Sequence, residues 1–357
     1  MPTSEPAQEL WALVMAGGRG ARFWPLSRRA LPKQCLSLDG GPTLIQRAVE
    51  RLSPLVPPER VLVVTGPDMA DAVRSQLPDV PPENLLIEPR ARNTSPCIGW
   101  GAVEVARRAG EAAVLAVVPS DHVVADPAAL RDALAAAAVA AEKGSTVATL
   151  GIRPDRPETG YGYLEVGEPV ADGPARRVQQ FTEKPDEATA TAWLAAGQHL
   201  WNAGMFVFPV GVMRAAFAEH LPRSAAALER LYAGTAQLDE IWGELEAISI
   251  DYAIMERMDG LLTIPCDVGW SDVGTWHSAA PLLPPAPGGR GLARHITAVD
   301  ASGCVVHAPR KVVALLGVDD LVVVDTPDAL LVMCRHRGQD VRQVIADLES
   351  RLPAPPT

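Results

Sequence analysis

The sequence predicts an α/β protein in which a mostly parallel sheet, covered by helices on both faces, is followed by a small C-terminal unit of short strands. Two observations carry this expectation. Buried-type apolar runs alternate with helical patterns from Leu10 to Ile152, which is how βαβ units read. Beyond residue 291, short β runs recur about every ten residues with turns between them, as in the coils of a solenoid.

Leu10, Ala12, Leu13, Val14 and Met15 form the first apolar run, read as a buried strand. Pro42-Thr43 opens a helix through Leu44, Ile45, Ala48, Val49 and Leu52. VLVVT (61–65) is a strand, 68–77 a helix and 84–88 a strand. Ser95 reads as the N-cap, with Pro96 at the first turn, of a helix running to Ala109. Residues 114–118 form a strand that ends at Pro119-Ser120-Asp121-His122. An alanine-rich helix (128–141) leads to a strand at 146–152. The texture then changes: Tyr161-Gly162-Tyr163 starts a strand partnered by 178–184, WNAGMFVF (201–208) is another, and helices fill 211–232. Ser249 caps a helix through Met258, 261–265 is a strand, and 269–274 precedes a further helix. PPAPGGRG (284–291) reads as a linker or domain boundary. Strands are expected at 304–307, 312–316, 321–325 and 329–334, then a terminal helix over 338–352 and a frayed tail, PAPPT.

The stretch from Leu13 to Lys33 is the most informative. Gly17, Gly18 and Gly20 follow the first strand, with Arg19, Arg22, Arg28, Arg29 and Lys33 behind them. Glycines let a backbone bend sharply and approach a ligand closely. Successive N–H groups in such a turn make a concave anion site, and the cations add charge-assisted bonds to phosphate oxygens. A Walker A loop would end in Gly-Lys-Ser/Thr, which is lacking here. The dinucleotide fingerprint G-x-G-x-x-G fails at its third glycine, where Phe23 stands, so a nicotinamide-dependent oxidoreductase is excluded. In open α/β sheets ligands bind beyond the carboxyl ends of the strands. Three chemically loaded segments lie at such ends: 17–33, 88–95 and 120–122. They should share one rim.

A length of 357 residues accommodates one large domain and one small one. The net charge of −11 argues against a general nucleic-acid binder and points to a local anion pocket. Five cysteines without C-x-x-C spacing fit reduced thiols rather than a disulfide framework or a zinc site. Neither a signal peptide nor a membrane-spanning run is expected, so the protein is read as cytoplasmic.

The motifs GGRGARFWPLSR, PKQ, EPRARNTSP, PSDH, ETGYGY, FTEKP, WNAGMFVF, SIDYAIMER and GWSDVGTW together resemble the mannose-1-phosphate guanylyltransferases (GDP-mannose pyrophosphorylases), a branch of the sugar-phosphate nucleotidylyltransferases. The sequence departs from that pattern at Ala21, Ala91 and Cys35, where a hydroxyl residue, a glycine and an aromatic are usual. The resemblance implies a Rossmann-like glycosyltransferase-A nucleotidyltransferase domain, here 1–284, and a short left-handed β-helix-like unit with a terminal helix, here 292–357. It implies Mg²⁺ held by Asp121 and Asp272, and GTP and mannose 1-phosphate as substrates. Arg22 and Lys33 would act with the two aspartates as the catalytic set. Gly17, Gly18, Gly20, Asn93, Thr94 and Ser120 would shape the nucleotide site. Gly162, Glu183, Lys184 and Asn202 would hold the sugar phosphate. His122 reads as a structural histidine beside the metal site, because a phosphate monoester is already an anionic nucleophile and needs no base. Neither nucleic acid nor membrane is expected as a partner. A homodimer through the C-terminal unit is expected, and the cupin-type isomerase domain of larger bifunctional relatives is not, since the sequence is too short to hold it. Rival readings are the same transfer with another base or sugar, such as UTP or dTTP with glucose 1-phosphate, and a non-catalytic nucleotide-sugar sensor.

Overall fold

The computed structural model describes residues 9–18, 20–170 and 173–352. Arg19 of the glycine loop, the first eight residues and the tail PAPPT lie outside the described residues. The first part of the chain builds β1 (Leu10–Ala16), α1 (Leu44–Glu50), β2 (Val61–Thr65), α2 (Ala70–Gln76), β3 (Leu85–Ile87), α3 (Thr94–Ala109) and β4 (Val114–Pro119). Its strands lie parallel in the order β3-β2-β1-β4. Alternate residues of β1 point to opposite faces. Ala12, Val14 and Ala16 join the core under α1, while Trp11 and Leu13 pack in the core containing α3. Thr43 starts α1 with a capping box to Gln46. The cap of α3 differs from expectation. Asn93, not Ser95, is the N-cap: its backbone takes a left-handed φ of 69°, and its side-chain oxygen accepts from the Thr94 N–H at 2.9 Å. Asparagine tolerates that conformation where serine does so less readily, and Ser95 lies inside the first turn.

The next elements are β5 (Val123–Val124), α4 (Pro127–Gly144), β6 (Ala148–Ile152), β7 (Gly162–Pro169), β8 (Arg176–Glu183), α5 (Glu187–Ala196), β9 (His199–Pro209), α6 (Val210–His220), α7 (Pro222–Tyr232), α8 (Leu238–Trp242) and β10 (Leu262–Cys266). They extend the sheet to β3-β2-β1-β4-β9-β6-β10-β8-β7. Two strands run against the rest: β9 is antiparallel to β4, β6 and β7, and β8 is antiparallel to β7 and β10, while β6 and β10 pair parallel. Strands β7 and β8 are joined by a short connection, which permits only the antiparallel arrangement. The helix expected from Ser249 to Met258 is reduced to one π-helical turn over Asp251–Met255. Its N-cap is Ile250, without a side-chain cap bond, and the Ser249 hydroxyl, one residue earlier, only accepts from Tyr252 N–H at 3.4 Å.

The chain finishes with β11 (Trp270–Ser271), α9 (Trp276–Ala279), β12 (Pro285–Ala286), β13 (Gly289–Val299), β14 (Cys304–Leu316), β15 (Leu321–Asp325), β16 (Leu330–Cys334) and α10 (Val341–Arg351). Strands β12 to β16 form a second sheet, with β13, β14 and β15 in parallel succession as in a β-helix. Residues 284–291 are not a free linker, since β12 pairs with the start of β13. The runs at 304–307 and 312–316 belong to one long strand whose register against β13 shifts between Ala293 and His295. This unit packs on the back of the glycine loop. Phe23, Trp24, Leu36 and Leu38 share a core with Trp276, Val305, Val322 and Leu331. No helix among the described residues is long and apolar enough to cross a membrane.

Candidate active site

The glycine loop leaves β1 at the carboxyl edge of the sheet and folds into a 3₁₀ turn over Ala21–Phe23. Gly20 has a φ of 65°, and a Cβ there would collide with the Lys33 side chain. Only glycine lets the loop close over the lysine. Lys33 is 5% exposed. Its ammonium donates to Asp121 Oδ2 and to the main-chain oxygen of Asp272, each at 2.9 Å, and lies 5.5 Å from the Phe23 ring centroid. Arg22 is nearby: burial lowers its guanidinium pKa, Arg342 of α10 adds to the effect and Asp272 opposes it. Among the described residues its buried Nε has no hydrogen-bond partner, so the group is left to meet an anion. Gly17 and Gly18 lie at the mouth of this turn, Gly18 with open space where a Cβ would be.

Asp121 and Asp272 come together because β5 and β11 pair antiparallel, Ser271 opposite Val123 and Trp270 opposite Val124. Burial would raise the Asp121 carboxyl, but Lys33, His122 and hydrogen bonds outweigh it and hold the group below the ordinary carboxylate range. Ser120, 2% exposed, is fixed by its N–H donating to Met15 O at 3.1 Å. Arg51 donates from beneath to the carbonyls of His122, at 2.7 Å, and Pro119, at 3.1 Å. The Nδ1 of His122 accepts from the Trp270 indole at 3.1 Å, and burial pushes its pKa down to about 4. A histidine so engaged is neutral at physiological pH and serves as an acceptor. Asp272 Oδ1 accepts from the Tyr161 hydroxyl at 2.7 Å and from Gly274 N–H at 3.2 Å. The donor set fits a hard divalent cation: two carboxylates on separate loops, brought to one place by the pairing of β5 with β11 and by Lys33, which bonds the Asp121 carboxylate and the Asp272 main-chain oxygen. No third His, Cys, Asp or Glu joins them among the described residues, so such an ion would complete its shell from substrate phosphates and water.

The residues expected on the sugar side come from β7, β8 and β9. Gly162 and Glu183 are directly paired across β7 and β8, and a Cβ on Gly162 would sit 2.6 Å from Glu183 Oε2. Lys184, in a left-handed conformation at φ 52°, bonds its ammonium to Glu183 Oε1. Asn202 on β9 is more occupied than its motif suggests. Its oxygen accepts from Thr149 Oγ1 at 2.9 Å and Gly204 N–H at 3.1 Å, and its nitrogen donates to Asp251 at 3.2 Å. Asp251 completes the cluster, and burial with the nearby Glu183 raises its pKa to about 6. Of the expected nucleotide residues, Asn93 caps α3 and Thr94 is tied to the segment before the π-turn, its Oγ1 accepting from Ile250 N–H at 2.9 Å.

Three residues escaped the sequence reading. Asp251 lies within SIDYAIMER, where only its motif could have flagged it. Tyr161, expected only as the start of a strand, reaches Asp272 with its hydroxyl. Glu88 ends the β3 segment 5% exposed, with its Oε1 facing Gly17, and burial pushes its pKa up to about 7. A carboxylic acid buried beside a phosphate-binding loop is a site candidate on physical grounds.

With that geometry in view, comparison with known proteins is decisive. The Nucleotidyl transferase family matches residues 11–281. The chain belongs to the nucleotidyl transferase family. Residues 293–348 match a MannoseP isomerase/GMP-like beta-helix domain, in keeping with the coils of β13 to β15. Mannose-1-phosphate guanylyltransferase ManC of Salmonella typhimurium is 39% identical over 355 residues, covering 96% of this chain and 74% of that protein. Xanthan biosynthesis protein XanB of Xanthomonas campestris is 38% identical over 349 residues, covering 95% of this chain and 73% of the relative. The crystal structure described as a mannose-1-phosphate geranyltransferase from Thermus thermophilus superposes with a TM-score of 0.88 at 40% identity, over 96% of this chain and all of that one. A nucleotidyl transferase domain with a β-helix unit behind it is the architecture expected from sequence.

Proposed function

We propose that this nucleotidyl transferase moves the guanylyl group of GTP onto α-D-mannose 1-phosphate, giving GDP-mannose and pyrophosphate. The observation that carries the reading is Lys33, closed in by Gly20 and held between the loops of Asp121 and Asp272 at the end of the glycine loop. An oxygen of the sugar phosphate attacks the α-phosphorus of GTP in line, and pyrophosphate leaves. No covalent intermediate is required, so the work is positioning and charge neutralisation. Arg22 and Lys33 counter the charge of the triphosphate and of the leaving pyrophosphate. Asp121 and Asp272 would hold Mg²⁺, which when bound neutralises phosphate charge. Gly17, Gly18, Gly20 and Ser120 shape the nucleotide pocket, and Asn93 and Thr94 turn the positive end of α3 toward it. Glu183 and Asp251 accept sugar hydroxyls, Lys184 meets the sugar phosphate, and Gly162 makes room for it. Asn202 holds Asp251 in place.

The choice of guanine is supported by Glu88. The guanine edge offers two adjacent donors, N1–H and the 2-amino group, and a carboxylate can accept both. Uracil and thymine present one N–H between two carbonyls. The exposed apolar side chains of the C-terminal unit, including Val312, Leu316, Leu330 and Val332, favour the homodimer reading. Sedimentation of the purified chain as a monomer at micromolar concentration would remove it. The activity itself is checked by pyrophosphate release. GTP with mannose 1-phosphate and Mg²⁺ should release pyrophosphate and form GDP-mannose, whereas turnover with UTP or dTTP and silence with GTP would defeat the guanine assignment.

A further inference from the structure

Tyr161 has a place in this site that its motif does not disclose. Its hydroxyl donates to Asp272 Oδ1 at 2.7 Å, and Gly274 N–H donates to the same oxygen at 3.2 Å. Two donors on one oxygen fix the rotation of the carboxylate and leave Oδ2, which no donor reaches among the described residues, as the free ligand. The tyrosine ring is itself clamped. Trp201 and Trp270 meet it edge-on, each with centroids 5.2 Å away, at interplanar angles of 84° and 71°. Arg156 covers the Trp201 ring at 4.9 Å and the Tyr161 ring at 5.9 Å. The backbone is held as well, since Lys184 N–H donates to Tyr161 O at 3.1 Å. The clamp continues across the site. Trp270 donates its indole N–H to His122 Nδ1 at 3.1 Å, and His122 is the neighbour of Asp121. One aromatic cluster therefore reaches the loops of both aspartates.

We propose that Tyr161 is a positioning residue that sets the metal-binding orientation of Asp272, in a Trp201–Tyr161–Trp270–His122 cluster that holds both aspartate loops at a fixed spacing. The proposal rests on Asp121 and Asp272 as the cation ligands of the transfer described above. Donors behind a ligating carboxylate orient it and tune its affinity, and losing one weakens metal binding by about 10- to 100-fold. The neighbouring Gly162 lines the sugar cluster, so the strut that orients Asp272 also forms a wall of that subsite.

Tyr161→Phe removes the hydroxyl and keeps the ring between its two tryptophans. Binding of Mn²⁺ to the protein without sugar phosphate, followed by electron paramagnetic resonance, should weaken by about 10-fold or more in this variant while its melting temperature stays near that of the parent. In an Asp272→Asn background the same change should have no further effect on Mn²⁺ binding, because the oriented carboxylate is gone. In steady state, the Mg²⁺ concentration giving half-maximal rate should rise by a similar factor. Unchanged Mn²⁺ affinity in Tyr161→Phe would overturn the proposal. So would an equal loss in both backgrounds, or a melting temperature lowered by several degrees with metal affinity intact, either of which would make Tyr161 a packing residue. Failure of the parent protein to release pyrophosphate from GTP and mannose 1-phosphate would instead refute the reaction, and the Mn²⁺ comparison would still decide the role of Tyr161.

Discussion

The two halves of the main sheet present different kinds of group to the candidate site. On the parallel side, β3-β2-β1-β4, every candidate ligand group comes from a loop beyond a strand end, and the glycine loop offers mainly backbone N–H groups and two cations. On the antiparallel side the groups are side chains at the ends or edges of strands, Glu183 on β8 and Asn202 on β9, joined by Asp251 from the π-turn. A triphosphate is a chain of anionic oxygens, which a concave backbone matches with little need for side chains. A hexose presents hydroxyls at fixed angles, and distinguishing them requires acceptors held rigidly by the sheet. Asp121 and Asp272 stand at the seam, where β5 pairs with β11.

The largest effect is expected at the seam. Asp272→Asn should lower kcat by about a thousandfold or more, with the fold retained by circular dichroism, since it removes a charge that acts on the reacting phosphates. An unchanged rate would remove Asp272 from the site. Next comes the sugar side: Glu183→Gln should raise KM for mannose 1-phosphate by about 10- to 100-fold, the worth of a charged hydrogen bond, and leave KM for GTP close to that of the parent. On the nucleotide side, Glu88→Gln should reduce the preference for GTP over UTP by about tenfold, because an amide offers one acceptor where the carboxylate offers two. Competition assays with both nucleotides present would read this.

The smallest effect concerns pH. The Glu88 carboxyl is raised to about 7 in the folded protein by burial, above its unfolded value, so the native state binds more protons between the two. Stability therefore falls as pH rises through that window and levels off above it. The fall in melting temperature from pH 5 to pH 8, measured without substrate, should be smaller in Glu88→Gln than in the parent. Equal falls would mean that Glu88 ionises freely.

The parallel half was legible in the sequence for a physical reason. Strands buried on both faces are continuous apolar runs, as in VLVVT, which forms β2 over the residues expected, and their carboxyl ends locate the ligand rim without any further information. The antiparallel half was harder to read, because its strands carry polar residues and its pairings link segments far apart. In the second sheet, strand β13 leaves no clear signal because Arg290, Arg294 and His295 break its apolar pattern. The π-turn at Asp251 reads as an ordinary helix because a single turn of five residues is too short for its apolar pattern to show which hydrogen bond closes it. Tyr161 shows the general limit: a hydroxyl meeting a carboxylate 111 residues away leaves no trace in local spacing. The same holds for Arg51, which supports the Asp121 loop from α1's end.

The division of labour between the two halves is tested most directly by two-substrate steady-state kinetics on Glu183→Gln beside Arg22→Gln, with GTP and mannose 1-phosphate varied independently in saturating Mg²⁺. The expected result is that Glu183→Gln raises KM for the sugar phosphate alone, and that Arg22→Gln lowers kcat and weakens GTP without weakening the sugar phosphate. Both variants shifting both substrates by the same factor would contradict it.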